Sequence, residues 1–115
     1  MGKHTLFLLP ASFEDAAYPG KQFYCPHCML MEGLLHTFPE IQDAVDVEYV
    51  DFARPRTGLV ELVGEANQFA PTLVLSGDAP ENLATGEFRD NRFVQGGAAL
   101  MSALHELCGI PHNHP

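Results

Sequence analysis

Phe23-Tyr24-Cys25-Pro26-His27-Cys28, running on into Met29 to Phe38, is the stretch that decides how this chain folds. It sets a Cys-x-x-Cys pair where a loop gives way to an amphipathic helix. Pro26 suits the first helical turn, because the amide it lacks would have no partner there. The spacing therefore puts Cys25 at the N-cap and Cys28 in the first turn, with His27 between them. The free amides and positive dipole end of a helix favour an anion, so a Cys25 thiolate is stabilised at that place. His27 adds positive charge or a hydrogen-bond donor beside it. Two thiols at this spacing close a disulfide with little rearrangement, one attacking and the other resolving. The pair also reads as half of a zinc site or as two inert thiols, although one Cys-x-x-Cys without a second is a weak structural zinc signature.

Upstream, Thr5-Leu6-Phe7-Leu8-Leu9 is a continuous apolar run closed by Pro10, which suits a strand buried on both faces of a central sheet. Residues 10–24 then read as one long loop with a turn at Pro19-Gly20, a candidate functional surface because most strand-to-helix loops are shorter. Downstream, Leu30, Met31, Leu34, Leu35 and Phe38 recur at helical spacing, predicting a first helix from Pro26 to Phe38. Gly33 weakens that helix and points to close packing there, and Pro39 stops it. Val45, Val47 and Tyr49 alternate with Asp46, Glu48 and Val50 as in a half-buried second strand.

After a turn from Asp51 to Arg56, a second helix carries Leu59, Val60, Leu62, Val63 and Ala66 on its apolar face. Pro71 opens a third strand, Thr72 to Leu75; Ser76 to Asn91 read as a loop, and Arg92 to Gln95 as a short fourth strand. Gly96-Gly97 precedes a third helix with Ala99, Leu100, Ala103, Leu104 and Leu107 on one face, ended by Gly109 with Pro111 just beyond. The order β-α-β-α-β-β-α predicts an α/β domain with a mixed four-stranded sheet, helices on both faces and its first two strands parallel.

The 115 residues make one domain, long enough for a real core and too short for two. Fifteen acidic residues against six Lys plus Arg give a net charge of −9, which argues against a nucleic-acid or anionic-membrane partner, since both need a basic footprint. No apolar run approaches membrane-spanning length, and Leu6 to Leu9 is too short for a secretory signal. The expectation is a cytoplasmic protein, in which three cysteines point to catalysis or metal binding rather than to a disulfide framework. The tail, His105-x2-Cys108-x3-His112-x-His114, carries donors that suit zinc or another borderline-soft metal. Cys108 equally fits a buried small apolar residue, and the expectation is no physiological metal site. Arg54 and Arg56 either bind a carboxylate or make surface ion pairs.

The Cys-x-x-Cys helix start, the order of elements and the proline opening the third strand together resemble the thioredoxin fold. Tyr24-Cys25-Pro26-His27-Cys28 resembles the glutaredoxin active-site sequence, and the chain also resembles the N-terminal domains of glutathione transferases. Cys-Pro-His-Cys resembles the motif of strongly oxidising periplasmic thioredoxin-fold proteins as well. Ala70-Pro71-Thr72 matches the position of the family's cis-proline, and Gly96-Gly97 resembles the glycine pair before the last helix of glutaredoxins. The whole chain, with its Gly109-Ile110-Pro111-His112 ending, resembles a bacterial thioredoxin-like family of unknown function.

The resemblance implies that Cys25 is the nucleophile and Cys28 the resolving thiol. It implies that Pro71 is cis and lies against them, leaving the Ala70 backbone free to pair with a substrate chain. Thr72 follows Pro71 into the sheet. Gly97 and Ala98 amides then start the last helix and take a carboxylate such as that of a glutathione γ-glutamyl group, with Lys21, Arg54 or Arg56 for the other carboxylate. Three departures bear on glutathione. Ala98 and Ala99 follow the glycine pair where glutaredoxins commonly carry acidic residues, the connection from Thr72's strand to Phe93 is much longer than a tight hairpin, and the approach loop from Pro10 is also longer.

The expectation is thus a thiol–disulfide oxidoreductase acting on protein disulfides or glutathione mixed disulfides, with no bound cofactor and with glutathione as co-substrate. Two alternatives stand beside it: a metal-binding module using the cysteine pair and histidines, and a redox-inactive thioredoxin-fold interaction module.

Overall fold

The computed structural model describes residues 3–115. Its elements are β1 (His4–Leu8), β2 (Phe13–Glu14), β3 (Gln22–Phe23), α1 (Pro26–Thr37), β4 (Val45–Tyr49), α2 (Val60–Val63), β5 (Thr72–Val74), β6 (Gly86–Phe88), β7 (Asn91–Gln95) and α3 (Gly97–Cys108). Five strands form one mixed sheet in the order β4-β1-β5-β7-β6, and β2 and β3 pair as a separate hairpin. β1 runs parallel to β4 and antiparallel to β5; the β5–β7 and β6–β7 pairs are antiparallel.

This α/β architecture carries more strands than the four expected. The segment read as a loop from Ser76 to Asn91 holds β6, whose Gly86, Glu87 and Phe88 pair with Phe93, Arg92 and Asn91. The long loop after Pro10 holds the hairpin, in which Phe13 pairs with Phe23 and Glu14 with Gln22. Runs of two or three residues are too short to show alternation, and pairing with a neighbour decides them. α2 is likewise only four residues, because the chain turns out of the helix at Gly64.

Both faces of the sheet are covered. Successive strand side chains point to opposite faces, yet Leu6, Phe7 and Leu8 of β1 and Thr72, Leu73 and Val74 of β5 are all buried. β4, at one edge, buries only Val45 fully, and exposes Asp46, Glu48 and Tyr49. α1 buries Cys28, Met31 and Leu35, three and four residues apart, against the core; Leu30 lies outside that stripe and is exposed. α3 buries Leu100, Ala103 and Leu104 and ends on Gly109 in the left-handed conformation, as the Gly-x-Pro ending predicts.

Three stability predictions arise from these elements. Gly64 has φ +86°, and a Cβ there would sit 2.9 Å from the Phe88 ring of β6. Gly64→Ala combines an unfavourable backbone region with a clash, and should cost about 2 kcal/mol or more, read as a lower denaturant midpoint at unchanged slope. Gly33, by contrast, has nothing within 4 Å of its would-be Cβ. It serves no close packing, contrary to expectation, so Gly33→Ala should stabilise α1 by roughly 0.5–1 kcal/mol in the same assay.

The third prediction concerns pH. His4 is buried at the start of β1, and its Nδ1 accepts the Ser76 amide at 2.9 Å, so the proton of the neutral ring sits on Nε2. Burial lowers its pKa, partly offset by Asp78. A base held below its unfolded value stabilises the fold above that value and loses the contribution as pH falls. Stability should therefore drop as pH falls through about 6.5 and below, and the drop should be shallower in His4→Gln.

Candidate functional site

β1 and α1 deliver the two cysteines to one place. The chain leaves β1 at Leu9, folds through the β2–β3 hairpin and returns at Tyr24 to start α1. Cys25 is the N-cap, with extended backbone angles of φ −88° and ψ 116°, and Pro26 is the first helical residue. The Cys25 Sγ accepts the Cys28 amide at 3.2 Å, one of the helix-start donors that would otherwise lack a partner. Cys28 Sγ in turn accepts the Leu9 amide at 3.4 Å and is fully buried. All three cysteines are free thiols.

The two thiols sit in different surroundings. Cys25 is half-buried and faces the Ala70 carbonyl at 4.0 Å. Burial pushes the Cys28 thiol up to about 12; the Leu9 hydrogen bond opposes that shift, and the Cys25 sulfur and Glu32 add to it. At neutral pH Cys28 is therefore held as a thiol. The accessible member of the pair and the protonated, sheltered member are fixed by the helix register.

The Ala70–Pro71 peptide is cis, and so is Arg54–Pro55, for which there was no expectation. Ala70, whose carbonyl lies 4.0 Å from the Cys25 sulfur, and Arg54 both line an open groove of about 390 Å³. Leu9 and Cys25 lie in this groove, with rings from Phe13, Phe23, Phe52 and Phe69 around them. Phe13 and Phe52 stack at 4.7 Å between centroids, nearly parallel, joining the hairpin to the loop before α2. Of the five large apolar side chains exposed among the described residues, three (Tyr18, Tyr24 and Phe69) line this one groove.

Phe13, Tyr18, Phe23 and Tyr24 of the wall come from the 10–24 stretch read as a candidate functional surface; Phe52 and Phe69, from two other segments, were not legible as part of it. The one available signal is the number of large aromatics in stretches that also hold Pro and Gly.

The residues expected at the site divide into two groups. Cys25, Pro26, Ala70, Arg54 and Arg56 line the groove, with Cys28 beneath Cys25 and His27 exposed on the first turn. Arg54 stands 5.4 Å over the Phe69 ring with its guanidinium open to solvent. The others lie elsewhere. Lys21 lines a neighbouring hollow with Glu14 and Ala53. Thr72 is buried in the sheet, donating to the Phe69 carbonyl and accepting Gln95 Nε2 at 2.9 Å, so it offers no free group to a ligand. Gly96 and Gly97 open α3, where the Gly96 carbonyl accepts the Leu100 amide, and neither lines the groove.

At the C-terminus the His105 and His112 rings stack at 3.7 Å, and His105 Nδ1 contacts the Ile110 carbonyl at 2.6 Å. Burial raises the Cys108 thiol, with Glu40 adding to it. Among the described residues no three His, Cys, Asp or Glu side chains converge as a metal ion requires, so His105, Cys108, His112 and His114 do not assemble into a ligand set. Nor, among those residues, is any helix long and apolar enough to cross a membrane.

Comparison with known proteins adds one finding. A family model described as "Protein of unknown function (DUF3088)" matches residues 3–112. No curated protein and no solved structure matches the chain.

Proposed function

The chain belongs to this family of unknown function, and from the chemistry of its groove we propose that the protein is a thiol–disulfide oxidoreductase of thioredoxin-like, glutaredoxin-like type. The observation that carries the proposal is the Cys25 sulfur itself. It sits at a helix N-cap, accepts the Cys28 amide at 3.2 Å, and opens into a groove lined by Ala70 and aromatic rings. The sulfur faces an amide donor at the positive end of a helix, and the second thiol lies in the first turn of the same helix, at the spacing that closes a disulfide.

In the proposed cycle the Cys25 thiolate attacks one sulfur of a protein disulfide or glutathione mixed disulfide. A Cys25–substrate disulfide forms, and the other substrate sulfur leaves as a thiolate and takes a proton from water. Cys28 then loses its proton and attacks the Cys25 sulfur. The Cys25–Cys28 disulfide forms, and the second substrate sulfur leaves. The substrate gains two electrons and the dithiol loses them. Two molecules of a thiol such as glutathione restore the dithiol and become a disulfide themselves. A reducing compartment such as the cytoplasm suits this direction of flow.

The test is a redox titration of the purified protein in glutathione buffers, with the thiol state read by mass spectrometry. A single two-electron transition confined to Cys25 and Cys28 is the expected result; no transition across the accessible range of ratios would overturn the assignment. In that event a redox-inactive interaction module is favoured, on the strength of the exposed aromatic rings gathered in one groove.

A further inference from the structure

Arg56 is the only buried Lys or Arg among the described residues, at 6% exposure. Its guanidinium donates from Nε and Nη2 to the Phe52 carbonyl, at 3.0 and 2.9 Å, and from Nη1 to the Gln68 carbonyl, at 2.8 Å. Its own amide donates to Gln68 Oε1 at 2.7 Å. The plane lies over the Phe52 ring, 5.4 Å from its centroid. Every acceptor is a neutral oxygen. In a chain with fifteen acidic residues, none sits within ion-pair distance of this cation, and Lys3–Asp46 is the ion pair among the described residues.

A buried charge without a counter-ion is costly, so a cation held this rigidly calls for an anion to face. The side chain lines the same groove as Cys25, and it ties together two walls of that groove, the Phe52 loop and the Gln68–Ala70 segment. The groups there that become anionic during exchange are the two sulfurs. We propose that Arg56 is the built-in counter-charge of the dithiol, holding the Cys28 thiolate as it resolves the mixed disulfide and, more weakly, the thiolate of Cys25.

Three observations support the order of those two roles. Cys28 is fully buried and has to lose its proton inside the protein, whereas Cys25 is in contact with solvent. Negative charge on Cys28, and less so on Cys25, favours the charged form of Arg56, against the lowering caused by burial and Arg54. And Cys28 Sγ has a single hydrogen-bond donor, the uncharged Leu9 amide at 3.4 Å. The other charged and titratable groups around the pair are Glu32 on α1, His27 on the first turn, Arg54 and Asp15 in the groove, and the Tyr18 and Tyr24 hydroxyls. None of them is a buried cation. Arg56 thus acts as a positioning residue: it touches neither reacting sulfur through a hydrogen bond, and works by its charge.

The inference rests on the dithiol chemistry proposed above, and its test separates the two. In a Cys108→Ser background, Cys25 is loaded with thionitrobenzoate as a mixed disulfide. Release of the chromophore by Cys28 is followed from pH 6 to pH 10. Alongside, thiolate absorbance of the reduced protein is titrated from pH 6 to pH 12, so that ionisation of Cys28 falls within the range. Three variants are compared: Arg56→Met removes the charge, Arg56→Lys keeps it, and Gln68→Glu keeps the arginine and gives it a carboxylate neighbour.

Arg56→Met and Gln68→Glu should each slow release about tenfold at neutral pH and move the pH profile upward, an opposite charge nearby being able to shift a pKa by a unit or more. Arg56→Lys should stay within about threefold of the parent, since charge rather than the guanidinium fork carries the effect. If Arg56→Met does not fold, the Gln68→Glu and Arg56→Lys pair decides. Profiles unchanged in the folded charge-neutralising variants, or Arg56→Lys as slow as Arg56→Met, overturn the proposal. A parent adduct that never releases the chromophore overturns the oxidoreductase reading instead, and the thiolate titration then decides the role of Arg56 by itself.

Discussion

Cys25→Ser should bring disulfide exchange down by at least about 1,000-fold, to the level of buffer without protein. The reason is positional as much as chemical. Cys25 is the half-buried sulfur that opens into the groove, whereas Cys28 has no exposed surface and its thiol is pushed up to about 12. Removing Cys25 leaves a thiol that neither meets substrate nor ionises at neutral pH. Cys28→Ser should behave differently: the first attack survives, and the protein stops as a mixed disulfide. With a glutathione adduct as substrate, a second glutathione can still release Cys25, so a monothiol turnover should persist. The measurement is reduction of a glutathionylated peptide by wild type and the two variants, with mass analysis of the trapped adduct. Undiminished turnover by Cys25→Ser, or an adduct trapped on Cys28, would sink the assignment of roles.

The second large effect is on pH dependence. In wild type, decay of the Cys25 mixed disulfide should quicken by nearly tenfold for each pH unit from 7 to 9, because Cys28 is the attacking group and its ionised fraction grows in that proportion below its pKa. The sign follows from burial, the largest cause of the raised value, which disfavours the anion at every stage of the cycle. Two smaller causes, the hydrogen bond and the charge of the Cys25 sulfur, disappear once that sulfur is in a disulfide. The rise should therefore level off below pH 12 rather than at it. Stopped-flow release of a chromophoric thiol against pH reads this directly; a rate flat from pH 7 to 9 would show that Cys28 is already ionised in the adduct. The same raised value bears on stability. A thiol held above its unfolded pKa stabilises the fold at neutral pH and loses that contribution as pH rises past about 8.5, so the reduced protein should weaken in alkali and Cys28→Ser should weaken less steeply.

The parts of the site that could be read in advance are those fixed by local chain chemistry. A proline one residue after a cysteine marks a helix start whatever surrounds it, so Cys25 as N-cap and Cys28 in the first turn followed from the motif alone. So did α3, where an apolar stripe ends on a glycine that tolerates positive φ. β1 was legible for a related reason: the four consecutive apolar residues Leu6 to Leu9, closed by Pro10, suit a strand buried on both faces. Residues assigned by analogy fared unevenly. Ala70, Arg54 and Arg56 reach the groove, while Lys21, Thr72, Gly96 and Gly97 do not line it.

What the chain by itself determined, then, is a dithiol at a helix start on an apolar, mixed α/β core, because caps, turns and continuous apolar runs act over a few residues. Only the tertiary structure decided the rest. β6 and the β2–β3 hairpin exist because partners across the sheet or turn satisfy their backbone groups, and no two- or three-residue run announces that. The aromatic groove joins the hairpin, the loop before α2 and the Phe69–Ala70 segment, and their meeting over Cys25 is a matter of packing. Arg56 is the plainest case. In the sequence it is one arginine of a turn, interchangeable with Arg54; burial, three hydrogen bonds to two backbone carbonyls and the absence of a carboxylate partner turn it into a fixed charge at the groove that holds Cys25. Desolvation and counter-charge are properties of the folded surroundings, and they separate two neighbouring residues that local propensity cannot tell apart.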